Sequence, residues 1–355
     1  MTRNEATRLP GFDTLRLASA IAVLFSHSYL ITHNSEASEP LQQLLKGEKN
    51  IAGLYGVFTF FIISGFLLAR SLHRNPDPLS FFINRGLRLL PGFACCILFC
   101  ALVVGPLSSA MGPGHYFSST GWMDYIQQSL TTLADAPLPG VFNYVGSIAQ
   151  VVNGSLWSLR AEVICYGVLL SLWILLPSPG WIALLLASTG IAILVQPGLL
   201  PFLPEVGYPL PYFAAGVVMW WLTHHLGQSR VIAQLCGAGL VAGALLGFPH
   251  QAFAVFGAVV VIDLGYQRSV IGGWIERMGD LSYGLYLFGW PVQQLLRQHL
   301  DLRHPLLMFV LSTAITGLLA WGLFHGVEKP AMAWRQPLNA WLGQRLSRSS
   351  PSRIG

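Results

Sequence analysis

Ten apolar runs follow one another from residue 15 to residue 325, and they limit the possible folds more than any other feature. They cover residues 15–31, 51–69, 89–107, 155–176, 181–196, 210–226, 231–248, 251–266, 281–297 and 305–325. A membrane-crossing helix needs about 20 predominantly apolar residues, and somewhat fewer when neighbours shield it. Proline and glycine punctuate the gaps, as in Pro177-Ser178-Pro179-Gly180 and Phe248-Pro249-His250. Only 10% of the 355 residues are charged, 53% are hydrophobic, and the mean hydropathy is +0.56. Soluble domains carry about 25% charged residues, so this chain cannot coat a water-facing surface. The expected fold class is an all-α integral membrane protein with about ten transmembrane helices.

Placing the N-terminus in the cytoplasm and alternating sides sorts the cations. The inner side receives Arg3, Arg8, Arg16, Arg70, Arg74, Arg85, Arg88, Arg230, Arg268, Arg277, Lys329, Arg335, Arg345, Arg348 and Arg353; the outer side receives Lys46, Lys49, Arg297 and Arg303. Arg160 falls within a run. The positive-inside rule therefore predicts cytoplasmic N- and C-termini. The net charge of +5 reads as this topology signal, because the basic residues lie between apolar runs, and no nucleic-acid partner is expected. The first run lacks a small-residue cleavage site and is expected to remain in the mature protein. Residues 108–154 contain no Lys or Arg and are expected to form a re-entrant or capping segment on the outer side. No internal repeat is evident. The five cysteines, Cys95, Cys96, Cys100, Cys165 and Cys236, sit in apolar runs without Cys-x-x-Cys or ligand-spaced histidines. They read as small lipid-compatible side chains, and no metal site is expected.

Ionisable groups at membrane depth are costly, and they mark functional candidates. Arg16 and His27 stand eleven positions apart, which on a helix is three turns plus about 20°. The two share a face and lie about 16–17 Å apart along the axis. Arg16 is then at the inner mouth and His27 in the outer half, where a neutral imidazole can serve as a general base. Ser64-Gly65 makes a small spot, read either as a packing notch or as a ligand contact. Arg85 and Arg88 neighbour one another on a helix face; with Arg70 and Arg74 they build a basic cluster. It serves topology and anionic lipid, or docks a phosphate group. In "GSLWSLRAEVICYG", with Trp157 in its first turn, Arg160 and Glu162 are two apart and cannot pair along one face, so each needs another partner. Either a functional carboxylate or a buried structural ion pair fits Glu162. "MGDLSYGLYLFGWPV" brings together Ser282, Tyr283, Tyr286, Trp290 and Pro291, and the proline can kink the helix and release a carbonyl. Glu328 and Lys329 end the last run, where a plain interfacial anchor is the alternative to a functional role. Residues 331–355 are rich in Arg, Ser and Pro and read as a mobile tail.

In this order and spacing the motifs resemble membrane-bound acyltransferase family 3, bacterial O-acyltransferases that modify surface glycans. The matching pieces are Arg16 with His27, "GVFTFFIISGFLL", Arg85-x-x-Arg88, "GSLWSLRAE", "LSYGLYLFGWPV" and "VEKP", over about residues 10–332. The start, "FDTLRL", departs from the family's usual pattern, with Thr14 and Leu17 in place of glycines. Many relatives carry a further C-terminal hydrolase-like domain, and residues 333–355 are too short for one. The resemblance implies one transmembrane acyltransferase domain over 10–332 and a basic cytoplasmic tail over 333–355, in a multi-pass protein of the bacterial inner membrane. It implies His27, Glu162 and Glu328 as catalytic residues. Arg16, Arg85, Arg88 and Arg70 would hold an acyl-CoA donor. Ser64, Trp157, Arg160, Tyr283 and Trp290 would contact substrate or pack around it. Acetyl-CoA is the first expected donor, a co-substrate supplied from the cytoplasm rather than a permanently bound cofactor. A glycan or glycolipid acceptor would approach from outside through 108–154. His27 would deprotonate a sugar hydroxyl or carry the acyl group itself. The competing class is a polytopic transporter of acyl or lipid-linked species without chemistry; an assembly scaffold would leave Arg16, His27, Arg160 and Glu162 unexplained.

Overall fold

In a computed structural model describing residues 10–45, 47, 49–142, 148, 150–267 and 272–349, a helix stands at each of the ten apolar runs. They are α1 (Pro10–His33), α2 (Ala52–Arg74), α3 (Pro78–Phe99), α4 (Trp157–Leu175), α5 (Pro179–Val195), α6 (Leu210–Leu226), α7 (Arg230–Leu245), α8 (Pro249–Tyr266), α9 (Ser282–Leu300) and α10 (Pro305–Leu323). No strand occurs among the described residues. Six described helical stretches are long and apolar enough to cross a bilayer: Gly11–His33, Ala52–Arg74, Pro78–Ser108, Trp157–Leu175, Pro249–Tyr266 and Pro305–Leu342. Exposed Leu102, Val168, Leu184, Ile191, Val241 and Leu318 cover the flanks of the bundle, a surface suited to lipid rather than water. The molecule is a multi-pass membrane protein. Of the cations that set the expected orientation, Arg3, Arg8, Lys46, Arg268 and Arg353 lie outside the described residues, as do the side chains of Arg277, Arg345 and Arg348.

α1 is the centre of the bundle and packs against α2, α8, α9 and α10. Small residues bring the helices close. A Cβ on Gly56 of α2 would lie 2.6 Å from the Ser19 carbonyl oxygen of α1. A Cβ on Gly65 would overlap the Phe213 carbonyl oxygen of α6, and one on Gly216 of α6 would overlap that of Ile62. Gly65 is therefore the packing notch that its neighbours in sequence suggest, and glycine is the residue that permits backbone contact there.

Local capping explains where the helices begin. Asp77 accepts from the N–H groups of Leu79 (3.3 Å) and Ser80 (2.8 Å), with Pro78 following it, and so opens α3. α2 has no side-chain cap from its own Ile51. Distant groups satisfy its first donors instead: Glu39 Oε1 accepts from Ala52 N–H (3.0 Å) and Ser26 Oγ from Gly53 N–H (2.7 Å).

Residues 105–132 form three short helices, Gly105–Ser108, Gly112–Ser118 and Gly121–Thr132, the last packed against α3. Residues 143–147 and 149 of the expected capping segment lie outside the described residues. The expected mobile tail is corrected over most of its length: Arg335–Ser349 is a helix packed along α3. Among the positions whose burial is described, Arg335, Leu338, Asn339 and Leu342 are partly buried, a helical spacing of one face that composition alone conceals.

Candidate functional site

A cleft opens among α1, α2, α3, α4 and α9, lined in part by Arg16, Ser64, Arg85, Arg88, Glu162 and Tyr166. The neighbouring face of α9 adds Ser282, Tyr283 and Tyr286. Residues distant in sequence thus meet where polar groups at membrane depth must find partners.

The arginines do not play equal parts. Arg88 donates from Nη1 to Glu328 Oε2 at 3.1 Å and pairs through Nη2 with Asp280. Arg16 Nη1 lies 3.8 Å from Asp13 Oδ1 and 3.9 Å from Asp280 Oδ2, loose pairs beside the tight one. Asp280 also accepts from Ser282, through its N–H (3.2 Å) and its hydroxyl. Among the described residues Arg85 makes no ion pair within 4.0 Å, although it lines the same cleft. Arg70 is absent from the lining.

Glu328 is not an interfacial anchor. It is 1% exposed, because α10 continues into a π-helical turn, Phe324–Glu328, that carries the carboxylate inward toward α3. Such turns interrupt the regular ladder and recur at functional sites.

Glu162 and Arg160 go separate ways, as their spacing predicts. Ser64 Oγ donates to Glu162 Oε1 at 3.0 Å, and Tyr166, one turn along α4, donates to the same oxygen. Arg160, 43% exposed, instead pairs with Glu205 at 3.5 Å. It stands outside the cleft lining, as does Trp157, which packs against the main apolar core. Ser64 and Gly65 therefore divide the two readings of their motif, one facing the cleft and the other the packing contact.

His27 lies beyond the cleft lining, on the α1 face turned to α9. Its ring meets Trp290 edge-on, with centroids 4.8 Å apart at 82°. His27 Nδ1 is buried without a hydrogen-bond partner among the described residues. Ser282, Tyr286 and Trp290 recur every four residues on α9, so one stripe runs from the cleft toward His27, parallel to the Arg16–His27 face of α1. Tyr283 anchors the inner end by donating to the Leu89 carbonyl (2.8 Å). Tyr286 donates to the Ser155 carbonyl (2.7 Å) and lies 2.6 Å from Ser158 Oγ. Trp290 Nε1 donates to the Val151 carbonyl at 3.1 Å.

Pro291 releases a carbonyl, and the structure shows which group takes it. Proline at this position has no N–H for the Leu287 oxygen four residues earlier. That oxygen accepts instead from Asn153 Nδ2 (2.9 Å) and Cys96 Sγ (3.3 Å). Asn153 is fully buried, and its backbone N–H donates to Asp135 Oδ1 (3.0 Å), while Val152 N–H donates to Oδ2 (2.9 Å). Burial of Asp135 pushes its carboxyl up to about 6 against the opposing effect of those two N–H groups. The segment before α4 is thereby tied to α9 one turn before Pro291.

Asp280, Asn153 and Ser158 join the site without a role assigned from sequence, and Tyr166 is the tyrosine that follows "GSLWSLRAE". Asp280 stands inside the quoted "MGDLSYG" and Asn153 immediately before "GSLW"; a polar residue bordering an apolar run was the available signal for each.

The family model described as "Acyltransferase domain", that of acyltransferase family 3, matches residues 9–325. The chain is similar to the "O-acetyl transferase" of Shigella phage Sf6, 24% identical over 338 residues, covering 92% of this chain and 97% of that protein. It is also similar to "Nodulation protein 10" of Rhizobium leguminosarum bv. viciae, 28% identical over 374 residues, covering 95% of this chain and 96% of the relative. No solved structure matches the chain with significance.

Proposed function

The chain belongs to acyltransferase family 3 and is an O-acyltransferase; from that premise we propose that it moves an acetyl group from cytoplasmic acetyl-CoA to a hydroxyl of a cell-surface or lipid-linked glycan. The observation that carries this reading is the arginine-lined cleft beside Ser282 and Tyr286, with Trp290, one turn further along α9, against the ring of His27. Ten spans with both termini in the cytoplasm of a bacterial inner membrane fit the proposal, because Arg16, Arg70, Arg74, Arg85 and Arg88 then lie on the inner side.

In the proposed reaction Arg85 and Arg16 hold the anionic nucleotide end, and Arg88 keeps the cleft in shape. The thin pantetheine arm follows the α1–α9 stripe and brings the thioester to His27. His27 takes the proton of the sugar hydroxyl, and that oxygen attacks the thioester carbonyl carbon. The carbon–sulfur bond breaks, the acyl group passes to the sugar, and the departing thiolate of CoA is protonated. Glu162, held by Ser64 and Tyr166, orients polar groups at the mouth of the stripe. Transfer through an acyl-His27 intermediate uses the same atoms in two steps.

The test is free-thiol release from acetyl-CoA by the purified protein in lipid nanodiscs, with and without glycan. Acceptor-dependent release that disappears in His27→Ala, at normal protein yield, is the expected result. Transport of the thioester or of a lipid-linked sugar without thiol release would replace the reading with the transporter class.

A further inference from the structure

A second cavity shares no lining residue with the arginine cleft. Its walls come from Gly47 and Asn50 before α2, Ile193 and Leu194 at the end of α5, residues 197–208, Pro211 and Tyr212 at the start of α6, and residues 247–251 leading into α8. Asn50 on its wall stands just before α2, and Val57, seven residues on, is the first α2 residue on the arginine cleft; the two cavities meet α2 at successive levels.

Its chemistry differs from that of the cleft. Among the described lining residues there is no Lys, Arg, Asp or Glu, whereas the cleft has three arginines and a glutamate. The polar side chains are Asn50, Tyr208, Tyr212, His250 and Gln251. Tyr208 is 45% exposed, with Lys49 Nζ 5.3 Å from its ring centroid. Tyr212 is fixed by stacking on Phe58, centroids 3.6 Å apart, and Asn50 by the Tyr55 hydroxyl at 2.8 Å. Aromatic rings, amides and hydroxyls among lining residues that include no Lys, Arg, Asp or Glu, with the Lys49 ammonium at the edge of Tyr208, suit a neutral polyhydroxylated ring with apolar C–H faces.

The cavity is also coupled to the turn bearing His27. Asn50 N–H donates to Gln42 Oε1 (2.7 Å), and Gln42 N–H donates to Glu39 Oε2 (2.9 Å). Ser26, adjacent to His27, donates to the other oxygen of the fully buried Glu39 at 3.1 Å.

We propose that this cavity binds a neutral sugar unit of the acceptor glycan, next to the unit that is acylated, so that the enzyme reads more than the reacting residue. The proposal rests on the acyltransferase reading for its role and replaces the expected approach through 108–154 as the principal glycan contact. It predicts direct sugar binding that needs no donor.

The test measures binding of neutral mono- and oligosaccharides of glucose, rhamnose and N-acetylglucosamine to the full chain in nanodiscs, by ligand-observed NMR. Saturable binding that strengthens with oligosaccharide length is expected, weakened about tenfold by Tyr208→Ala or Gln251→Ala and unchanged by Arg85→Ala. A lipid-linked oligosaccharide run beside its free form tells which source supplies the sugar; competition by either supports the site. Lack of binding by all of these sugars, or equal binding in Tyr208→Ala, would overturn the proposal. So would displacement by phospholipid alone. Thiol release from acetyl-CoA by the wild type is recorded separately, so failure of this site is not confused with failure of the acyltransferase reading.

Discussion

Arg88 and Glu328, 240 positions apart in sequence, meet at 3.1 Å beside the cleft, while Asp280 holds the other arm of the same guanidinium. Three residues of α3, the α9 approach and the end of α10 are thereby tied to one another. Arg85, one turn earlier on α3, faces the same cleft without an ion pair among the described residues. The two arginines of a three-residue spacing are therefore different devices, one holding protein and one available to ligand.

Arg88→Ala is expected to fail structurally. It leaves the buried Glu328 carboxylate without its counter-ion and Asp280 with only the looser Arg16 at 3.9 Å, and breaking a buried pair costs about 3–5 kcal/mol. Detergent-solubilised protein should melt well below wild type, and Arg88→Met combined with Glu328→Gln and Asp280→Asn should regain part of the loss. An unaltered melting temperature in Arg88→Ala would show that the triad carries no structural weight.

Arg85→Ala should leave folding intact, because no carboxylate is abandoned within ion-pair distance. A lost charge-assisted hydrogen bond is worth about 1.5–3 kcal/mol, so donor affinity should fall about ten- to a hundredfold. Titration with a non-hydrolysable acyl-CoA analogue reads this directly. Donor binding equal to wild type would return Arg85 to a topological role.

Asn153→Ala should destabilise by about 1–3 kcal/mol, since it leaves the Leu287 carbonyl with only the weak Cys96 thiol donor. In a Pro291→Ala background the restored backbone N–H competes for that same oxygen, so the Asn153→Ala cost should shrink. A double-mutant cycle on melting temperature measures the coupling, and strict additivity would mean that Asn153 does not serve the proline's vacancy.

Asp135 supplies a pH dependence outside the spans. Its carboxyl is raised from an ordinary 3.8 to about 6 by burial, so the folded state holds the proton more tightly than the unfolded one. Between these values the folded state binds more protons, and stability falls as pH rises. The contribution is complete below about 3.8 and is lost as pH passes 6. Melting curves from pH 4 to 7 should show this decline, and Asp135→Asn should flatten it. An identical slope in the variant would assign the pH effect to other groups.

Much of this arrangement was legible in residue spacing. The eleven-residue step from Arg16 to His27 placed both on one face, and that face turns to α9. The two-residue step from Arg160 to Glu162 separated their partners correctly. Pro291 announced a vacant carbonyl, but not Asn153 as its occupant, because that meeting depends on how the segment before α4 returns to α9. Glu328 was read too near the surface, because the π-helical turn that moves it inward leaves no periodic mark. Asp280 was overlooked for a related reason: its value lies in converging with two arginines from other helices, which sequence distance hides. The positions of the ten helices followed from apolar run length, whereas the helix at Arg335–Ser349 was obscured by a polar composition.

The close approach of α2 and α6 at Gly65 and Gly216 has a kinematic consequence. Where two backbones touch through glycine, no layer of side chains remains to slide or to change rotamer. The pair behaves as one strut, and the Ser64 wall of the cleft is fixed to it. On the facing side α9 is held in its turn, where Asn153 Nδ2 occupies the Leu287 carbonyl that Pro291 leaves open.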